Sequence, residues 1–104
     1  MITVKLSNAT SFEVHSVSER YDIYTTEDWH LVMTIVNGEY DVAHYVSLLN
    51  AEGATNSIEV SSSYGAHSFD GFTEIRSIEK SIEYSRAEIR IHLSKPTNVD
   101  TRSE

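Results

Sequence analysis

Five histidines, at positions 15, 30, 44, 67 and 92, are the side chains of this 104-residue chain best suited to hold a metal ion or move a proton. Local zinc sites place two histidines on one face of an element, as in H-E-x-x-H or H-x-H. No two of the five stand two or four residues apart. His15, His30 and His92 fall in alternating segments, on their more polar side, and this spacing predicts surface histidines on a sheet. Carboxylates are scattered: Glu27-Asp28, Glu39, Asp41, Glu52, Asp70, Glu74, Glu79 and Glu83. A general acid/base pair needs convergence and a shifted pKa, and their linear spread predicts solvated faces instead. Serines are numerous, but no G-x-S-x-G elbow surrounds one, and the four glycines form no phosphate-cradling loop. With no cysteine there is no disulfide, thiolate nucleophile or iron–sulfur site, which fits a reducing compartment. The expectation is therefore no enzyme, no catalytic residue, no cofactor, no metal and no small-molecule substrate.

Charge and aromatic content point towards protein partners. Sixteen acidic residues against eight basic ones give a net charge of −8. That balance disfavours direct binding to nucleic-acid phosphates, which requires clustered Lys and Arg. It serves solubility, or it forms an acidic surface that mimics nucleic acid and blocks a host defence enzyme; the second reading requires the acids to cluster on one face. Tyr and Trp favour interfaces, where one end of the ring is dry and the other can hydrogen-bond. Tyr21, Tyr24, Trp29, Tyr40 and Tyr64 are the candidate interface residues, with Tyr21 and Tyr24 on a loop reaching a neighbour.

The elements that carry these residues are mostly strands. Ile2, Val4 and Leu6 alternate with polar residues, "SNAT" is turn chemistry, and Phe12 and Val14 resume the alternation, so the segment reads as a hairpin. The alternation slips at Ser16-Val17, which predicts a bulge that bends the strand. Trp29, Leu31, Met33 and Ile35 face one way, with a half-apolar opposite face, as in a strand covered on both sides. Asn37-Gly38 is the strongest hairpin signal in the chain. However, Val42, Tyr45, Val46 and Leu49 recur at i, i+3, i+4 and i+7, which predicts a helix at about 40–50 and makes Asn37-Gly38 the joint where the chain leaves the sheet. Ile58 and Val60 begin another strand, which turns at "YGAHS". In "FDGFTEIRSIEKSIEY" the spacing of Phe72, Ile75, Ile78 and Ile82 suits a helix, while β-branched residues and interleaved serines favour a bulged strand. Ile89, Ile91 and Leu93 form a final alternating strand that ends at Pro96.

An internal echo favours the strand. Glu13-Val14-His15-Ser16-Val17 matches Glu74-Ile75-Arg76-Ser77-Ile78. Each follows a short strand, Ile2–Val4 or Ile58–Val60, and precedes an alternating one. The reading is a mainly β (α+β) fold: a six-stranded antiparallel or mixed sandwich or small barrel, one helix at about 40–50, and a possible internal βββ repeat. Residues 1–95 form a single β-rich domain, and residues 96–104 form a polar, mobile tail. Trp29, Met33, Phe12, Val14, Ile75, Ile89 and Ile91 supply the expected core. The alternating N-terminus lacks the apolar run of a signal peptide, and no window is apolar for long enough to cross a bilayer.

The opening "MITVKLSNATSFEV", then "SVSERY", "YVSLLN…SIEV" and the close "GFTEIRSIEKSI…AEIRIHLSK" together resemble small proteins encoded among the tail genes of bacteriophages of Gram-positive bacteria. Tail-tube, distal-tail and baseplate-hub domains of that kind pair β-sheets with a flanking helix and join strand edges into rings. The resemblance covers residues 1–95. It implies a structural, tail- or baseplate-associated virion protein, found in the virion or the host cytoplasm, that self-associates or binds neighbouring subunits. It transfers no catalytic residue. The chain departs from tube subunits in lacking their long insertion loop, which speaks against tube formation.

Overall fold

The computed structural model describes residues 2–22 and 28–95. The chain is mainly β, with eight strands and one helix among the described residues. The strands are β1 (Ile2–Lys5), β2 (Ser11–Val14), β3 (Ser16–Asp22) and β4 (Asp28–Val36), followed after helix α1 (Val42–Asn50) by β5 (Ser57–Ser62), β6 (Gly65–Asp70), β7 (Glu74–Glu83) and β8 (Arg86–Lys95). They form two four-stranded sheets, ordered β2-β1-β5-β6 and β3-β4-β8-β7, with every pairing antiparallel.

Period-two patterning decides what faces inward. Leu31, Met33 and Ile35 of β4 lie opposite Leu93, Ile91 and Ile89 of β8, and all six are buried. Val4 of β1 and Ile58 of β5 join them in one core that both sheets share. The helix adds Tyr45 and Leu49, one turn apart on its apolar stripe. Tyr45 meets Phe12 of β2 edge-on, with ring centroids 5.4 Å apart, and α1 also packs against β7. Asn37 is indeed the joint. It adopts a left-handed φ of 51°, its amide donates to the Ala87 carbonyl, and its side-chain oxygen accepts from the Ala87 amide.

The slip at Ser16-Val17 marks a larger event than a bulge. Ser11–Asp22 is nearly one continuous strand that belongs to the first sheet up to Val14 and to the second from Ser16. His15 is the corner, and its amide donates to the Thr34 carbonyl on β4. Strands that switch sheets are how such corners are built. The second half turns its corner through Gly71, Phe72 and Thr73. Gly71 has a φ of 85°, Phe72 is only 1% exposed, and Lys95 carries its Nζ 5.9 Å from the Phe72 ring centroid.

The two halves are alike in topology, each giving two strands to each sheet. That makes four strands per half where the echo suggested three. The echo fits this only in part, because Glu13-Val14 lie in β2 of the first sheet and Glu74-Ile75 in β7 of the second. Val17 pairs with Met33 in the first half and Ile78 with Ile91 in the second. If Val17 corresponds to Ile78, then Met33 corresponds to Ile91, and these two residues are each other's partners across β4 and β8. In the other sheet, Val4 and Val60 are likewise both equivalents and partners. Equivalent residues facing each other in an antiparallel pair are what an approximate two-fold axis produces. Each half is two hairpins, too few strands for independent stability, and the two halves complete one another's sheets as subunits do in an isologous dimer.

Residues 73–83 are a strand for most of their length. β7 contains a register shift between Ile75 and Ser77, as the bulged-strand reading requires. Six strands become eight for two reasons. The Phe12–Arg20 run divides at the corner, and most of Tyr64–Ser68, expected as a turn, belongs to the edge strand β6. Phe69 alone in β6 is even partly buried, so β6 shows almost no alternation to detect. Trp29, expected in the core, is 41% exposed because it lies at the outer end of β4, opposite Lys95.

The β7–β8 loop offers a first test. Glu83 pairs with Arg86, leaving Tyr84 and Ser85 as a two-residue turn with φ of 52° and 66°. Two left-handed central residues suit Asn-Gly, and a bulky L-residue is strained there. Replacing Tyr84-Ser85 with Asn-Gly is expected to raise stability by about 1 kcal/mol. Thermal denaturation checks this, and an unchanged or lower Tm would mean that the turn carries no such strain.

Candidate functional site

The candidate interface residues occupy separate places on the surface. Tyr21 and Trp29 are cross-strand partners on β3 and β4, each 41% exposed, with ring centroids 5.2 Å apart. Tyr40 is 49% exposed and stacks on His44 at 3.9 Å, just before α1. Tyr64 is 99% exposed, in the two-residue loop between Ser62 and Gly65. Tyr24 lies outside the described residues, as does the tail from 96 to 104.

Two residues that sequence reasoning missed are more exposed than Tyr21, Trp29 or Tyr40: Ile82 at 70% and Tyr84 at 94%. Both sit at the end of the β7–β8 hairpin, beyond the core, where every residue from Glu79 to Arg86 is exposed. Ile82 looks like another core position by spacing, and only the length by which this hairpin overshoots the core reveals otherwise.

The outer strands differ in how they are defended. An edge strand is usually protected by charge, by a bulge or by covering. β7 carries Glu79 and Lys80 and a bulge near Arg76. β6, with sequence GAHSFD, bears a single carboxylate, Asp70, which accepts from Ser57 Oγ at 2.9 Å. Beside β6 runs an apolar hollow lined by Ile2, Val17, Val60, Ala66 and Phe69.

The outer face of the second sheet holds a polar network that the sequence did not announce. His30 Nδ1 and His92 Nε2 lie 2.6 Å apart, a hydrogen bond between two rings. The β4–β8 register brings them together: His92 sits opposite Val32, placing His30 on the diagonal. His30 is buried, which corrects the reading of it as a surface histidine. Beside it, fully buried Ser94 accepts from Arg76 Nε at 3.0 Å and donates to Glu74 Oε1 at 2.8 Å. Arg76 also pairs with Glu74 at 3.3 Å. Burial holds the His92 pKa below its usual value, helped by His30, Arg20 and Arg76 and opposed by Glu79. The Ser94 hydroxyl thus bridges the Arg76 guanidinium and the Glu74 carboxylate. Among the described residues no three ligating side chains gather to hold a metal.

Charges of both signs interleave on this same sheet. Glu88 bonds to Arg90 at 3.0 Å and to Arg86 at 3.5 Å. No helix among the described residues is long and apolar enough to cross a membrane. No family model, curated protein or solved structure matches this chain. What the protein does must be read from its own surface.

Proposed function

We propose that this chain is a non-enzymatic assembly module that works through protein–protein contacts, as a tail- or baseplate-associated virion protein of a bacteriophage. The observation that carries this reading is the exposure of Tyr64, Ile82 and Tyr84 on two hairpin tips. Aromatic and aliphatic side chains held on protruding hairpins are suited to enter pockets on a neighbour, and such anchors dominate interface energies. A poorly defended edge at β6 offers a second mode, in which a partner strand extends the first sheet. The strained Tyr84-Ser85 turn fits the same role, since strain at an exposed tip is retained where the side chain is used.

Light scattering across a concentration series, with and without neighbouring tail proteins, tests the proposal. The wild type is expected to associate. The double variant Ile82→Ser/Tyr84→Ser is expected to associate at least about 30-fold more weakly, the equivalent of about 2 kcal/mol. Its thermal stability should stay unchanged, because neither side chain is in the core. A wild type that remains monomeric and binds no tail protein would sink the proposal.

A further inference from the structure

A cleft of about 770 Å³ opens beside the His15 corner, between β2 and the segment that leads from Asn37 into α1. Its aromatic wall is built by contact. Tyr45 lies edge-on to Phe12 at 5.4 Å and to Tyr40 at 6.3 Å, and Tyr40 is held from behind by stacking on His44. Two carboxylates, Glu13 and Glu39, line the same cleft, and the described lining includes no lysine or arginine. Acidic residues alone would define nothing, since exposed carboxylates are common on a chain of this charge.

Tyr45 makes the difference. The residue is 3% exposed, yet its hydroxyl has no hydrogen-bond partner among the described residues. Among the described residues no fully buried side-chain oxygen or nitrogen lacks a partner, so the surface left to Tyr45 includes that hydroxyl. It lies 3.4 Å from where a Cβ on Gly38 would sit, and Gly38 lines the cleft as Tyr45 does. The phenol is therefore aimed into the cleft from an otherwise dry setting. Burial first, then Tyr40 and Glu39, push its pKa up, so it stays a neutral hydroxyl able to accept a hydrogen bond.

We propose that this cleft binds a primary aliphatic ammonium group. The methylenes would lie along Phe12 and Tyr40, and the ammonium would face Glu13 and Glu39 with the Tyr45 hydroxyl as an uncharged acceptor. Aromatic faces and carboxylates both favour a cation, and an alkyl chain suits the apolar floor. Two sources share this chemistry: a free polyamine, and a lysine side chain presented by another protein.

Chemical-shift titration of the intact chain at low salt distinguishes them, using spermidine, Nα-acetyl-lysine N-methylamide, n-butylamine and neutral 1-butanol as probes. Shifts are expected at Phe12, Gly38 and Tyr45 with the amines and not with 1-butanol. Glu13→Gln/Glu39→Gln should weaken amine binding at least about tenfold, and ionic strength of about 0.5 M should weaken it several-fold. Tyr45→Phe, which keeps the ring packing, should weaken it a few-fold. A markedly stronger response to spermidine than to the lysine analogue supports a free polyamine, and an equal response to the two supports a presented side chain. The proposal is overturned if none of the three amines shifts these residues, if 1-butanol binds as well as n-butylamine, or if the charge-neutral variant binds unchanged. The measurement is made on the chain without partners, so it stands or falls separately from assembly.

Discussion

Phe72→Ala is expected to lower the unfolding free energy by about 3–5 kcal/mol, the range seen when large aromatic side chains are removed from cores. The site explains why the upper part of that range applies. Phe72 is 1% exposed and stands at the corner where the chain passes from β6 to β7. Its neighbour Gly71 holds a left-handed φ of 85°, and the Gly71 amide donates to the Asn56 carbonyl at 2.9 Å. With the backbone held in this way, it has little freedom to collapse into the space the ring leaves. Phe69 packs edge-on at 6.1 Å and Lys95 lies over the ring, so both lose their contact surface. A domain of this size has about 5–15 kcal/mol in all, so the variant would keep only part of its stability. Urea denaturation should show a midpoint lower by on the order of 2 M. Phe69→Ala, at a half-buried position, should cost clearly less. A Phe72→Ala loss under about 1 kcal/mol would show that this corner is not anchored by the ring.

Stability is expected to fall as pH drops below 6.5, and His92 is expected to account for part of that fall. Its folded-state pKa is lowered from 6.5, first by burial and then by His30, Arg20 and Arg76. Between the folded value and 6.5 the unfolded chain binds more protons than the folded one, so stability rises with pH there. The contribution is complete above 6.5 and is lost as pH falls towards the folded value. Every strand of the sheet contributes a charged or titratable group to this neighbourhood: Arg20 on β3, His30 on β4, Arg76 and Glu79 on β7, and His92 itself on β8. Glu79 alone of the causes favours the cation, and it is outweighed. The first proton need not break the ring-to-ring hydrogen bond, because an imidazolium can still donate to a neutral imidazole. Its cost is desolvation and repulsion from two guanidinium groups. Denaturation midpoints at a series of pH values from 8 to 5 should decline for the wild type and decline less steeply for His92→Gln. Equal slopes in the two proteins would remove His92 as a cause.

Much of the fold was legible in the amino-acid order because alternation is a local property. The hydrophobic period places β1, β4 and β8, and the i, i+3, i+4, i+7 stripe of Val42, Tyr45, Val46 and Leu49 outweighs the hairpin signal of Asn37-Gly38. The echo between Glu13–Val17 and Glu74–Ile78 suggests a repeat, and it makes residues 73–83 a strand, as they are for most of their length. β6 escapes this reading: an edge strand buries almost nothing, and without burial there is no pattern to find.

The site was legible only in part. Tyr21, Tyr40 and Tyr64, chosen by residue type as interface candidates, are exposed, and so is Trp29, which alternation also placed in the core. Trp29 and Ile82 show the limit of that reasoning. Whether an inward-facing residue is dry depends on whether its strand ends over the core or runs past it, which is a matter of sheet packing. The His30–His92 bond and the Tyr45 cleft lie further beyond reach. Each joins residues from separate segments, set side by side by strand register in one case and by the path from Asn37 into α1 in the other. Linear order determined a β-rich scaffold with a single helix; three-dimensional packing alone decided which side chains that scaffold brings together, because contact across strands depends on registers that hydrophobic pattern does not specify.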